Sequence, residues 1–327
     1  MRNFVVSDLH GNGYVYDSII NFLENEKEYG CDDITLYING DLIDRGINSG
    51  SMLVDVLMRI NDLNSINIEY LAGNHELMMY HSHLATKDLD YDSYLSEYKS
   101  ASSFNWICNN GGFITKDYLL KNYSKESISK LIEDVGYLNI YHKFDKAIDD
   151  LDIILVHACP VRGMTDNKKI LLNENSPRVD VALWARKEDL IVNKIFNPSY
   201  LNIIGHTANK NKYGFSYDKN DNVLNIDGAS SLFGYIETSY VQSLNKYILF
   251  DEYELDIKNK LESISHIPLI EIDSINNRIN ILVFNHLNQI IYGKYLQEGI
   301  IYDMESNLLN SYRKNLKENV KVKKRKV

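Results

Sequence analysis

The chain reads as an α/β protein built on a parallel-cored sheet, on three observations. β-branched and aromatic runs alternate with amphipathic helical stretches through its N-terminal part. The runs end on short loops of small, acidic and histidine residues, and loops that short place the C-terminal ends of all the strands on one side. With 327 residues, 44% of them hydrophobic, the chain can bury a large core.

Asn3-Phe4-Val5-Val6-Ser7 is a short strand ending in Asp8-Leu9-His10-Gly11-Asn12-Gly13. Residues 17–28 carry Ile19, Ile20, Phe22 and Leu23 at helical spacing. The strand Ile34-Thr35-Leu36-Tyr37-Ile38-Asn39 delivers Gly40-Asp41-Leu42-Ile43-Asp44-Arg45-Gly46, whose glycines let the backbone turn sharply out of the sheet. A helix over 51–60 and a third strand, Asn67-Ile68-Glu69-Tyr70-Leu71, lead to Gly73-Asn74-His75-Glu76. Residues 76–150 break the rhythm and read as a mostly helical insertion, covering the sheet edge or the site. Strands resume at Leu151-Asp152-Ile153-Ile154-Leu155-Val156, which ends on His157, and at Tyr200-Leu201-Asn202-Ile203-Ile204, which ends on Gly205-His206-Thr207. Val223-Leu224-Asn225-Ile226-Asp227 and Ser239-Tyr240-Val241 read as closing antiparallel strands. The expected division is a catalytic domain over 1–250, a small α/β extension over 251–312 and a basic, disordered tail over 313–327. Within the extension, a helix is expected over 253–264, then hairpin segments Leu269-Ile270-Glu271-Ile272 and Ile279-Asn280-Ile281-Leu282-Val283-Phe284.

Composition narrows the function. No stretch approaches the roughly 18 apolar residues of a membrane span, and the first residues enter a strand directly, so no membrane association or export is expected. Cys31, Cys108 and Cys159 lack metal-finger spacing and suit a reducing cytoplasm. A net charge of −10 argues against general nucleic-acid binding.

Chemistry gathers on five strand-end loops: Asp8 with His10, then Asp41, then Asn74 with His75, then His157, then His206. Two divalent ions about 3.5–4 Å apart need a ligand that bridges them, and a carboxylate with two oxygens can do so, which points to Asp41. Asp8 and His10 suit one ion. Asn74, His157 and His206 suit the other, and mixed nitrogen and oxygen donors favour Mn, Fe, Zn, Co or Ni over Ca or Mg. Asp44 and Arg45, beside Asp41, suggest a phosphate site next to a cation site. His81, His83, His142, His266 and His286 fall outside the pattern and read as ordinary core or surface residues.

These motifs resemble those of calcineurin-like metallophosphoesterases, and more narrowly the bacterial and phage branch of the phosphoprotein phosphatases. Asn110-Gly111-Gly112 after Trp106, and Leu183-Trp184-Ala185-Arg186, match weaker signatures of that branch. The resemblance spans residues 1–250 and implies a four-layer α/β/β/α sandwich of two mixed sheets, with metals at the C-terminal strand ends.

The resemblance also implies a mechanism. Asp8, His10 and Asp41 would hold one ion and Asp41, Asn74, His157 and His206 the other, with manganese first and iron, zinc, nickel or cobalt as alternatives. A hydroxide bridging the ions would attack phosphorus in line. Arg45 and Arg186 would grip the non-bridging oxygens, although a salt bridge on a helix face competes as the reading of Arg186. His75, oriented by Asp44, would protonate the leaving alkoxide. The implied activity is phosphomonoester hydrolysis, foremost on phosphoserine and phosphothreonine in proteins, with phosphotyrosine or a small phosphoester left open. Symmetrical hydrolysis of diadenosine tetraphosphate is the main alternative. Its enzymes typically carry a small residue where this chain has Asp44, which favours monoester chemistry. A phosphatase of nucleic-acid ends, or a binding protein without activity, are further readings. Cys159-Pro160 stands where the family continues with glycine, and Ile226-Asp227-Gly228-Ala229 where Ile-Asp-Thr-Gly-Ala is usual; both alter the cleft walls without removing a ligand.

Overall fold

A computed structural model describes residues 2–28, 33–60, 62, 66–148, 151–161, 164, 169–174, 176–186, 199–209, 211, 213–231, 266–285 and 289–323. Cys31, His286, Ser239-Tyr240-Val241 and the helix expected over 253–264 lie outside these residues. The chain runs β1 (Arg2–Val6), α1 (Gly13–Glu28), β2 (Ile34–Asn39), α2 (Ser49–Arg59) and β3 (Asn67–Leu71), with the three strands parallel as the alternation predicts. Helices α3 (Asn74–Thr86) and α4 (Ala101–Phe104) follow, then a π-helical turn (Asn105–Asn109), α5 (Phe113–Asn122) and α6 (Lys125–Gly136). The rest comprises β4 (Tyr141–Ile148), β5 (Leu151–Val156), α7 (Pro177–Trp184), β6 (Tyr200–Ile204), β7 (Ser216–Asp218), β8 (Val223–Asn225), β9 (His266–Asp273), β10 (Arg278–Asn285), β11 (Ile290–Gln297), β12 (Ile300–Asp303) and α8 (Ser306–Lys323).

The strands form two mixed sheets, ordered β12-β11-β10-β9-β1-β2-β3 and β4-β5-β6-β8-β7. Strand alternation sorts side chains between two cores. Val5, Tyr37 and Leu71 face Ile153, Leu155, Leu201 and Ile203 between the sheets. Phe4, Val6, Leu36 and Ile38 point the other way, under Phe22 and Leu23 of α1 and Met52, Leu53 and Val56 of α2. On the second sheet, Ile154 and Val156 turn outward to the cluster holding Val179, Ala182 and Leu183 of α7. The result is the expected α/β/β/α sandwich. Among the described residues no helix is long and apolar enough to cross a membrane.

Two expectations change. Residues 266–303 are strands of the first sheet rather than an extension beside it: β9 pairs antiparallel with β1, placing Phe4 opposite Glu271. Pairing across 269 residues of sequence, sealed by Arg2 Nε–H donating to Glu271 Oε1 at 2.7 Å, leaves no local signal to read. The tail expected to be disordered from residue 313 is helical as far as Lys323. Tyr312 is buried there and lies 6.0 Å, ring to ring, from Phe22 of α1, with Leu308, Leu309 and Leu316 packed on the same core. In sequence its lysines obscured that apolar stripe. The insertion also ends in a strand, since β4 pairs with β5.

His142 of β4 helps close the inter-sheet core, its ring 4.6 Å from Tyr37 and 4.5 Å from Phe144. Burial outweighs the pull of Asp145 and lowers its pKa to about 4. The unfolded chain binds a proton near pH 6.5 that the folded chain refuses until about pH 4, so His142 stabilises fully above 6.5 and progressively less as pH falls. Replacement by Phe should remove this slope, flattening the fall in stability between pH 6.5 and 4 by about 2 kcal/mol in urea denaturation.

Candidate functional site

All five loops leave the C-terminal ends of parallel strands and meet where the two sheets come together. Asn39, the last residue of β2, ties the sheets at this point. Its amide donates to Val156 O at 3.0 Å, and its carbonyl accepts from Ser7 Oγ and from His157 Nδ1, each at 3.0 Å. From the other side, the His206 N–H donates to both oxygens of Asp8, at 3.0 and 3.2 Å.

The loops are tightly wound. Asp8, His10, Asp41, Asp44, Arg45 and His206 all adopt positive φ, from 45° to 72°, a region costly for residues with a Cβ. Gly73 is required by contact, because a Cβ there would lie 2.3 Å from Asp41 Oδ1. Glu76 fixes the crossing of two loops. Its carboxylate accepts the N–H groups of Asp41 (2.9 Å), Leu42 (3.1 Å) and Gly73 (2.7 Å) and the hydroxyl of Tyr70 (2.7 Å). Burial and the Asp41 carboxylate still push its pKa up.

Two groups of potential metal donors result, His10 with Asp41 and His75, and Asp41 with His157 and His206, each with its donor atoms within 4.8 Å of one another. Asp41 belongs to both. Its Oδ2 faces His10 Nε2 at 3.5 Å and His75 Nε2 at 3.9 Å, while Oδ1 faces His157 Nε2 at 3.5 Å. Asn74 Oδ1 completes the second group, 3.0 Å from both His157 Nε2 and His206 Nδ1. Asp8 is buried alongside, outside both groups, its oxygens turned to His206 N and Ser7.

The donor chemistry fits divalent cations. His10 Nδ1–H donates to Ile43 O at 3.0 Å, so Nε2 keeps its lone pair, which accepts from the Arg45 guanidinium at 2.9 Å. A cationic group thus already sits on this donor. Burial, then Arg45, hold the His10 pKa well below normal, and burial with His157 lowers His206 to about 4, so both imidazoles are neutral. Burial opposes the charged form of His157, but Asp41 and Asp8 overcome it and raise its pKa to about 10. Burial likewise opposes the Asp41 charge, and His157 with His75 reverse that, holding its carboxyl well below the usual range. Asp8 is pushed up by burial and by Asp227, and Asp227 rises to about 6 through burial. Buried acids repelling one another beside neutral imidazoles are a surrounding that positive charge relieves.

His75 stands at the start of α3, its Nδ1–H donating to Asp44 Oδ2 at 2.7 Å in full burial. Arg186 is exposed at the rim, close enough for its charge to help lower His206, and Trp184 lies 6.2 Å, ring to ring, from His206. Glu76 and Asp227 stand within the sequence motifs but gain their roles only in the fold. The spacing of Glu76 three residues after Gly73, that of a helix-capping acid, was the available signal.

Residues 1–234 match the family described as calcineurin-like phosphoesterase. No curated protein matches the chain. Solved structures similar to it include the cold-active protein-tyrosine phosphatase of a psychrophilic Shewanella species, at 14% identity over 93% of this chain and 80% of that one, with a TM-score of 0.44. A protein serine/threonine phosphatase from Saccharomyces cerevisiae is similar at 15% identity over 69% and 66%, with a TM-score of 0.36. A candidate diadenosine tetraphosphatase is similar at 12% identity over 86% and 93%, with a TM-score of 0.45. Likenesses this distant bear on neither substrate nor chemistry.

Glu76→Gln would turn an NH₂ group toward donors that need an acceptor. It should cost about 2–3 kcal/mol in chemical denaturation and weaken metal binding by roughly 10–100-fold in titration calorimetry.

Proposed function

Because the chain belongs to the calcineurin-like phosphoesterase family, a family of metal-dependent phosphoester hydrolases, we propose that it is a phosphomonoesterase acting on phosphorylated serine and threonine in proteins. The observation that carries this reading is the buried His75–Asp44 pair, 2.7 Å apart, directly beside the donor groups joined by Asp41. A monoester with an alkoxide leaving group needs a proton on departure, and a buried imidazole held by a carboxylate can supply one. The motif around Trp106 and the segment Leu183-Trp184-Ala185-Arg186 support a place in the bacterial and phage branch of the phosphoprotein phosphatases.

Asp8, His10 and Asp41 would hold one cation, and Asp41, Asn74, His157 and His206 the other, with manganese the first candidate for both. Bound there, divalent ions would supply Lewis acidity toward phosphoryl oxygens and would activate water at neutral pH. Arg45 exchanges its contact with His10 for the non-bridging oxygens of the phosphoryl group, and Arg186 approaches the same group from the rim. His75 gives its Nε2 proton to the leaving oxygen, while Asp44 keeps the imidazole in one orientation. Gly73 and Gly40 let the loops pass in close contact, where a Cβ on Gly40 would lie 2.6 Å from the Gly73 Cα. The chain's composition supports a cytoplasmic enzyme whose partners are phosphorylated proteins or small phosphoesters.

Asp41→Asn should lose bound metal and activity together, read by elemental analysis and phosphate release. His75→Asn should retain metal while turnover of a phosphoserine peptide falls by roughly 10²–10⁴-fold; near-full turnover would remove His75 as the acid. The deciding assay compares manganese-loaded protein on a phosphothreonine peptide and on diadenosine tetraphosphate. Faster turnover of the peptide upholds the reading, and preference for the dinucleotide with ADP as sole product overturns it.

A further inference from the structure

The segment Trp106 to Thr115, which includes Asn110-Gly111-Gly112, has no role in the chemistry described so far. In the fold it wraps around residues 44 and 45. Trp106 is fully buried in the π-helical turn, and its Nε1–H donates to Asp44 Oδ2 at 2.8 Å. Thr115 is fully buried in α5, and its hydroxyl donates to Asp44 Oδ1 at 2.6 Å while accepting the Asp44 N–H at 3.2 Å. Between them, Gly111 O accepts the Arg45 N–H at 3.2 Å. Gly112 lies under the indole, where a Cβ would come within 2.4 Å of Trp106 Nε1.

A carboxylate with one partner turns easily about its last torsion, which has broad minima. Here a donor holds each oxygen, and the two donors come from separate elements of the helical insertion. Asp44 therefore presents Oδ2 to His75 in one orientation. That keeps a proton on Nδ1 and fixes the ring so that Nε2, the nitrogen that would carry the proton to be delivered, faces Asp41, 3.9 Å away. A π-helical turn is a rare conformation that recurs at functional sites, and here it sets the indole N–H at this carboxylate.

We infer that Trp106 and Thr115 are positioning residues for proton delivery by His75, acting through Asp44. The inference rests on the phosphomonoesterase reading for its kinetic consequence, and on geometry alone for the state of His75. The insertion is then the outer part of the acid machinery as well as a cover. A purely structural role would weaken the fold and slow every substrate alike. A positioning role slows the substrates that need a proton on departure.

Trp106→Phe removes the donor but also shrinks a buried ring; Thr115→Val removes the hydroxyl with almost no change of shape, and Thr115→Ser restores it. In manganese-loaded protein, both donor-removing variants should lower kcat on phenyl phosphate by roughly 10–100-fold, the range for a hydrogen bond to a charged group. On 4-nitrophenyl phosphate, a far better leaving group, the loss should stay under about 3-fold, with KM unchanged. Thr115→Ser should stay within about 3-fold of the parent on both. Equal losses on the two substrates would overturn the inference. Proton NMR of zinc-loaded protein reads the geometry without turnover. The downfield His75 Nδ1–H resonance, identified by its absence in His75→Asn, should broaden or move in Trp106→Phe and Thr115→Val and return in Thr115→Ser. An unchanged resonance in both variants would overturn the inference even if no phosphomonoester were hydrolysed, which separates its failure from that of the activity.

Discussion

Five carboxylates, those of Asp8, Asp41, Asp44, Glu76 and Asp227, are buried together at the ends of the parallel strands, and the surrounding structure exists largely to tolerate them. An unpartnered buried charge costs many kcal/mol, so each acid must be answered by donors fixed in place. Asp44 is answered by an indole, a hydroxyl and an imidazole. Glu76 is answered by three backbone amides and a phenol. Asp8 accepts a backbone amide from the opposite sheet, and Asp41 lies among three imidazoles. The raised pKa values of Asp8, Glu76 and Asp227 show that the answer is incomplete in protein groups alone.

This demand explains the backbone. Side chains from both sheets can converge only if the loops turn back at once on leaving the strands. Six positive-φ residues and the close passage of Gly40 and Gly73 are the cost of that turn. Offsetting it are the large apolar cores on either face of the first sheet, which anchor the strands, and Asn39, which ties the sheets together just before the Gly40–Gly46 turn.

Much of this was legible in the sequence. The βαβαβ alternation, the limits of β2, β3, β5 and β6, and the five loops carrying Asp8 to His206 follow from periodicity and turn chemistry, which are local. What was not legible is long-range. Nothing near Leu269 announces that it pairs across the sheet with β1, and Gly293 interrupts β11 enough to hide a strand. The stripe of Leu308, Tyr312 and Leu316 is diluted by lysines. In the site, a carboxylate such as Glu76 or a lone indole such as Trp106 gains meaning only from what the fold brings to it.

The insertion of β9 beside β1 also bears on how the protein is made. Residues 2–6 are translated well before their second neighbour in the sheet, residues 266–273. Until then β1 has an open edge, a template for wrong pairing, in the strand that leads into Asp8 and His10. So many contacts between distant parts of the chain imply slow folding after release. The sheet that carries the candidate site is therefore completed only once β9 has been made, and a fragment ending near residue 250 would expose the edge that the intact sheet keeps covered.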